Sequence, residues 1–215
     1  MWVVKLGGSL ADSPLLRDWL GLLAEHGGGR VLVVPGGGPF ADAVRAAQRQ
    51  WKFNDTAAHR MAILAMEQYG FMLQALEPRM SLAATEKELK EALARRGVPV
   101  WLCYPMMAGD ARIPADWRVS ADSLSLRLAM LFHAEALVLV KSVPVAESGA
   151  GIEGLCARGF LDEYFADLAP HYDGAICWLH AEETGRMRSA LQRAELPGVL
   201  LAGGALTPVQ GGRLS

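Results

Sequence analysis

The chain contains five lysines, Lys5, Lys52, Lys87, Lys90 and Lys141, and two of them lie in otherwise apolar runs: Lys5 in Trp2 to Leu6, and Lys141 at the end of Ala136 to Lys141. An ammonium group buried without a partner is costly, so a lysine in such a setting needs a structural carboxylate or an anionic ligand beside it. Lys5 is followed by Gly7, Gly8 and Ser9, and the run Arg30 to Val34 by Pro35, Gly36, Gly37 and Gly38. Without a Cβ, glycine backbone can approach an anion closely and aim several N–H groups at it, and a helix starting at the turn adds favourable potential. Lysines beside glycine turns at strand ends therefore point to a crevice for phosphate.

Asp122 stands in Trp117-Arg118-Val119-Ser120-Ala121-Asp122, directly ahead of the helical run Ser123 to Phe132. A carboxylate in a first helical turn is favoured by the helix dipole, and in a phosphate site it is also a group that could hold Lys5 or Lys141 in place. His59, four residues after Asp55, reads either as a structural helical histidine or as a contact to substrate. The Gly-x-x-x-x-Gly-Lys-Ser/Thr loop is absent, and neither glycine cluster gives Gly-x-Gly-x-x-Gly in a βαβ setting, which disfavours P-loop and dinucleotide enzymes. Cys103, Cys156 and Cys177 show no Cys-x-x-Cys spacing, so neither a disulfide scaffold nor a structural zinc site is expected, and Cys177 reads as core packing.

These residues need strands to carry them. Apolar or β-branched runs at Trp2 to Leu6, Arg30 to Val34, Val98 to Tyr104, Ala136 to Lys141, Ala175 to Leu179 and Val199 to Ala202 alternate with helical patterns, the signature of an α/β parallel sheet covered on both faces. In such sheets ligands bind beyond the carboxyl ends of the strands, where both lysines and both glycine turns fall. Ser13 and Pro14 open a helix whose apolar stripe runs Leu15, Leu16, Trp19, Leu20, Leu22, Leu23 and stops at Gly27 to Gly29. Asp55 is the expected cap of a long helix through Met72, and Thr85 with Glu88 forms a capping-box pair for a helix ending near Gly97.

The composition, 215 residues with 52% hydrophobic and 20% charged, suits one domain with a substantial core. A formal charge of −2 gives no basis for coating nucleic acid or anionic lipid, so a small soluble ligand is the expected partner. No apolar run reaches the roughly 18 residues of a membrane helix, and the start, MWVVKLGGSL, interrupts any secretory segment with Lys5 and Gly7-Gly8. A cytoplasmic protein, with neither membrane nor nucleic acid as partner, is the expectation.

Taken in order, Lys5-x-Gly7-Gly8-Ser9, Val33-Val34-Pro35-Gly36-Gly37-Gly38 and Val119-Ser120-Ala121-Asp122 resemble the motifs of the amino-acid kinase superfamily. That resemblance spans nearly the whole chain and implies a three-layer αβα sandwich with a mainly parallel open sheet, as a single domain over 1–215. It implies that Lys5, Gly7, Gly8 and Ser9 face the transferred phosphoryl group and that Asp122 orients the catalytic lysines. Gly36, Gly37, Gly38, His59 and Ser120 would hold the acceptor, with Ser142, Val143, Gly185, Arg186 and Arg188 on the nucleotide side. The chain departs from the family twice. Lys141-Ser142-Val143-Pro144-Val145 lacks the glycine of the usual Thr-Asp-Val-x-Gly, and Ala190 stands where a catalytic lysine is expected after Thr184-Gly185-Arg186-Met187. Lys141, Arg186 and Arg188 are the candidates to replace that lysine, the alternative being binding without catalysis.

Within the superfamily, Phe40 to Arg45 and Asp55-x-x-x-His59-x-Met61-Ala62-Ile63 are most similar to the branch acting on (5-(aminomethyl)furan-3-yl)methyl phosphate in methylofuran and one-carbon cofactor biosynthesis. The resemblance implies ATP and Mg²⁺, the ion held by phosphates and water, a diphosphate product and a homo-oligomer. UMP or an acylated amino acid as acceptor, and a non-catalytic storage protein, are the alternatives.

Overall fold

A computed structural model describes residues 1–144, 151–202 and 205–208; Val145, the last residue of the altered nucleotide-side motif, lies outside them. The sheet centre is built from β1 (Trp2–Leu6), β2 (Val31–Pro35) and β5 (Ala136–Lys141), with Lys5 opposite Val34 on one side and Leu139 on the other. These strands are buried on both faces, which is why they read as nearly unbroken apolar runs. With β3 (Ser81–Ala83), β4 (Pro99–Trp101), β6 (Ala175–His180), β7 (Val199–Ala202) and β8 (Ala205–Pro208) the order is β3-β4-β2-β1-β5-β6-β7-β8.

The side-chain period of two divides each strand between two cores. Trp2, Val4, Leu6, Val138 and Val140 pack on one face under α1 (Leu15–His26) and α9 (Thr184–Arg193). Val3, Leu137 and Leu139 pack on the other under α6 (Ala121–Leu131), α4 (Glu86–Ala94), α7 (Ile152–Ala157) and α8 (Glu163–Leu168). The αβα sandwich is thus as expected. The first half of α3 (Asp55–Leu76) reaches the α6 face through Ile63 and Met66, and its second half the α1 face through Tyr69 and Leu73.

Local expectations fare unevenly. The Thr85–Glu88 capping box forms. The cap of α3, however, is Asn54, whose side chain accepts from Ala57 N at 2.8 Å, while Asp55 instead accepts from Gln48 Nε2. Ser13 does not cap α1 in the expected way: Pro14 holds that position, and the Ser13 hydroxyl accepts from Leu15 N at 3.3 Å. The run Val98 to Tyr104 yields only a three-residue strand, because the chain turns at Cys103 into the short α5 (Tyr104–Met107), with Pro105 in its first turn unable to serve a strand ladder. The strands β3 and β8 were not expected, and β6–β7 and β7–β8 pair antiparallel, so the sheet is mixed at one edge.

Candidate active site

Lys5 and Leu139 are register partners, and Lys141 follows Leu139 by two, so all three side chains leave the sheet on the α6 face. There α6 begins with Ser120 as N-cap and Asp122 in its first turn. The result is one carboxylate between two ammonium groups: Lys5 Nζ lies 2.7 Å from Asp122 Oδ1, and Lys141 Nζ lies 2.6 Å from Oδ2. Lys141 also donates to the Phe160 carbonyl at 2.8 Å and sits 5.5 Å over the Trp178 ring. All three groups are largely out of water.

Burial opposes ionisation of Asp122, but the charges of Lys141 and Lys5 outweigh it and hold the carboxyl down to about 2. For Lys141 the balance goes the other way. Burial, aided by repulsion from Lys5, brings its ammonium down to about 8 in spite of the attraction of Asp122. Asp122 thus serves two cations at once, and the Lys5 ammonium, on the cleft side, is the one placed to receive a further anion.

The anion's place is marked by the two glycine turns. An added Cβ on Gly8 would come 2.6 Å from Gly38 N, and one on Gly36 would come 2.5 Å from Gly8 N, so the turns after β1 and β2 interlock backbone to backbone. Gly38 itself has φ +52° and opens α2 (Gly38–Trp51). Between them and the start of α6 lies a cleft of about 320 Å³ lined by Lys5, Gly8, Ser9, Gly36, Gly37, Gly38, Asp12, Arg45 and Ser120. A smaller apolar recess shares Gly37, Arg45 and Ser120 with that cleft and is closed by His59, Met66, Trp117 and Leu124. Arg45 lies 4.9 Å over the Trp117 ring, between the polar and apolar compartments. His59 is buried, and burial lowers its pKa in spite of Asp116, leaving the ring neutral near pH 7, a hydrogen-bonding group with no charge of its own.

Lys5, Gly8, Ser9, Gly36, Gly37, Gly38 and Ser120 therefore line one cleft, with His59 in the apolar recess that adjoins it; Gly7 lies beside the Lys5 ammonium, and Asp122 and Lys141 stand behind Lys5, joined to it by the ion pairs rather than lining the cleft. Some members differ from expectation in what their groups do. Ser120 N and Oγ both donate to Asp162 Oδ2, at 2.8 and 2.6 Å. Gly37 is tight against α2, since an added Cβ would lie 2.4 Å from Ala41 Cβ.

On the other side of Lys141, the Ser142 carbonyl contacts His180 Nε2 at 3.0 Å and the Val143 carbonyl accepts from Trp178 Nε1 at 3.0 Å. Arg186 pairs with Glu183 at 2.7 Å and lines a shallow hollow with Pro144, Trp178 and His180; Gly185, beside it, opens α9 onto free space. Arg188 stands apart, its guanidinium 3.4 Å from His26 at the far end of α1. Ala190 is buried in the core on the α1 face, opposite Asp122, so a side chain at that position faces away from the cluster. Arg45, Trp117, Phe160 and Asp162 were missed by sequence reasoning. Asp162 alone carried a signal, that of a cap ahead of Glu163-Tyr164-Phe165. No helix of the described residues is long and apolar enough to cross a membrane, and among them no group of three or more His, Cys, Asp or Glu could hold a metal ion.

Comparison with known proteins gives the family and the fold. Residues 1–146 match the model of the amino acid kinase family. A [5-(aminomethyl)furan-3-yl]methyl phosphate kinase from Methanocaldococcus jannaschii is 25% identical over 144 residues, a stretch covering 66% of this chain and 66% of that enzyme, just under two thirds of its length. Among solved structures, uridylate kinase from Archaeoglobus fulgidus superposes with a TM-score of 0.66 at 16% identity, covering 96% of this chain and 97% of the other. An isopentenyl phosphate kinase gives 0.64 at 15% identity, covering 94% and 100%. The structural likenesses establish the fold.

Proposed function

The chain belongs to the amino acid kinase family, and from that premise we propose that it transfers the γ-phosphoryl group of ATP to the phosphate of a small acceptor, forming a diphosphate. The observation that carries this reading is the buried Lys5–Asp122–Lys141 cluster beside the glycine cleft. Donor and acceptor are both anionic, so the protein's contribution is charge neutralisation and in-line alignment, with no covalent intermediate. Lys5, facing the cleft, neutralises charge between donor and acceptor. Lys141 supplies the second cation in place of the lysine absent at Ala190, which favours catalysis over storage. Asp122 keeps the two lysines from repelling each other apart, and the N–H groups of Gly8, Gly37 and Gly38 bind phosphoryl oxygens, those of Gly7 and Gly36 being given to the Val140 and Leu6 carbonyls. Mg²⁺ accompanies the phosphates of ATP, whose nucleoside lies toward Ser142, Val143, Gly185 and Arg186.

For the acceptor we take (5-(aminomethyl)furan-3-yl)methyl phosphate. The named relative acts on it, and the cleft with its recess suits a phosphate carried on a small flat apolar body stacked near Trp117. His59, neutral, donates to the acceptor without acting as a base, because the attacking phosphate is already ionised. A panel of the furan phosphate, UMP, isopentenyl phosphate and N-acetylglutamate, scored by ADP release, tests the reading; release with the furan phosphate alone is expected. Self-association belongs to the same reading, and Met61, Leu64 and Phe71 lie exposed along α3 where a second copy could cover them. Sedimentation velocity measures it, a dimer being the expected species.

A further inference from the structure

Asp162 is a partly buried carboxylate with no part in the phosphate chemistry above. It caps α8, where Oδ1 accepts from Phe165 N at 3.1 Å. A cap needs little more than that. Yet Oδ2 also accepts from Ser120 N at 2.8 Å, Ser120 Oγ at 2.6 Å and Ser123 N at 3.0 Å, and the Ser123 hydroxyl donates to Oδ1. Four of these five donors belong to the N-terminus of α6, the turn that carries Asp122. Two residues before Asp162, the Phe160 carbonyl accepts from Lys141. One short segment thus grips both members of the Asp122–Lys141 pair.

We propose that Asp162 is a positioning residue for phosphoryl transfer: by clamping the α6 N-terminus to the segment bearing Phe160, it fixes Lys141 against Asp122 at the end of β5. The inference rests on the kinase reading given above. A second carboxylate so near Asp122 and largely withdrawn from water is electrostatically unfavourable, and desolvation together with Asp122 raises the pKa of Asp162 against the pull of its serine donors. A residue serving only as a cap has no need of that location. The groups facing Lys141 are Asp122 from α6, Lys5 from β1, Asp162 at the head of α8, and Trp178 and His180 from β6. Burial lowers the Lys141 ammonium while Asp122 and Asp162 support it, so removing the Asp162 charge lowers it further.

The test is Asp162→Asn in protein labelled at lysine 13Cε, where five lysines give five signals and Lys141→Arg identifies one of them. The Lys141 titration midpoint is expected to fall by about half a unit or more, with kcat down about tenfold and KM for ATP and acceptor within about threefold. An unmoved midpoint, or a kcat within about threefold of wild type, overturns the proposal. Wild-type protein that turns over no acceptor defeats the kinase reading, whereas the titration still judges the clamp. Should Asp162→Asn not fold, Ser123→Ala keeps the carboxylate and removes one donor. A lower kcat or a displaced Lys141 midpoint in that variant supports the clamp, and wild-type values of both overturn it.

Discussion

Lys5 and Lys141 stand on adjacent parallel strands and share a single buried carboxylate, each within 2.7 Å of a different oxygen of Asp122. This sharing makes the two lysines separable by experiment. Lys5 lines the glycine cleft, whereas Lys141 is turned toward Phe160 and Trp178. Lys5→Ala and Lys141→Ala are each expected to lower kcat by on the order of 10²–10³, as for loss of one preorganised donor to transition-state charge. Steady-state kinetics should show kcat falling far more than either KM.

Asp122 is where function and stability meet. Asp122→Ala leaves two ammonium groups facing each other in a buried site, which should destabilise the fold by about 3–5 kcal/mol in chemical denaturation. Because the carboxyl is held near 2, below its unfolded value, its stabilising contribution is present above about pH 4 and is lost as pH falls toward 2. Wild type should therefore lose more stability than Asp122→Asn on acidification through that window.

Lys141 gives opposite signs to activity and stability in mild alkali. With its ammonium at about 8, kcat should decline as pH rises through that value, since the charged form does the work. The folded-state pKa lies below the unfolded one, so folding releases a proton between about 8 and 10.4 and the lysine's cost to stability is relieved across the same range. A kcat profile and denaturation midpoints, each compared with Lys141→Met, check both limbs; a flat difference in stability would contradict the assignment.

The glycines offer a clean contrast. Gly8→Ala drives a Cβ to 2.6 Å from the Gly38 backbone and should cost both fold stability and phosphate binding. Around Gly185 an added Cβ meets nothing within 4 Å, so Gly185→Ala in α9 should be neutral or stabilising by about 0.4–1 kcal/mol. Any fall in ATP affinity there, measured by calorimetry, reports on the ligand alone.

His59 should behave as a neutral donor. His59→Asn keeps a donor and should retain appreciable activity, whereas His59→Ala should raise acceptor KM. Neither should remove an acidic limb from kcat, because burial already holds the ring uncharged near pH 7.

Much of this was legible in the sequence because parallel strands buried on both faces must read as apolar runs, and a lysine closing such a run stands out. The neighbouring glycine turns were legible for the same reason: each follows a strand end. What could not be read was distance. That Lys5 and Lys141 meet one carboxylate depends on β1 pairing with β5, and the hold of Asp162 on Ser120 joins residues 42 apart. Ser81–Ala83 carries too few residues, and too exposed a pattern, to announce a strand. The vacancy left by Ala190 was visible, but that its side chain faces the opposite core became clear only from the packing of α9.

Transfer of a phosphoryl group from ATP to an acceptor phosphate at the Lys5–Asp122–Lys141 cluster can be watched directly. The most direct measurement is ³¹P NMR of the protein with Mg-ATP and (5-(aminomethyl)furan-3-yl)methyl phosphate, run beside Lys5→Ala and Lys141→Ala. Wild type should convert the acceptor's single resonance into the two coupled resonances of a diphosphate, in step with ADP, and both variants should stall. ADP appearing only with inorganic phosphate, or variants matching wild type, would contradict phosphoryl transfer by this cluster.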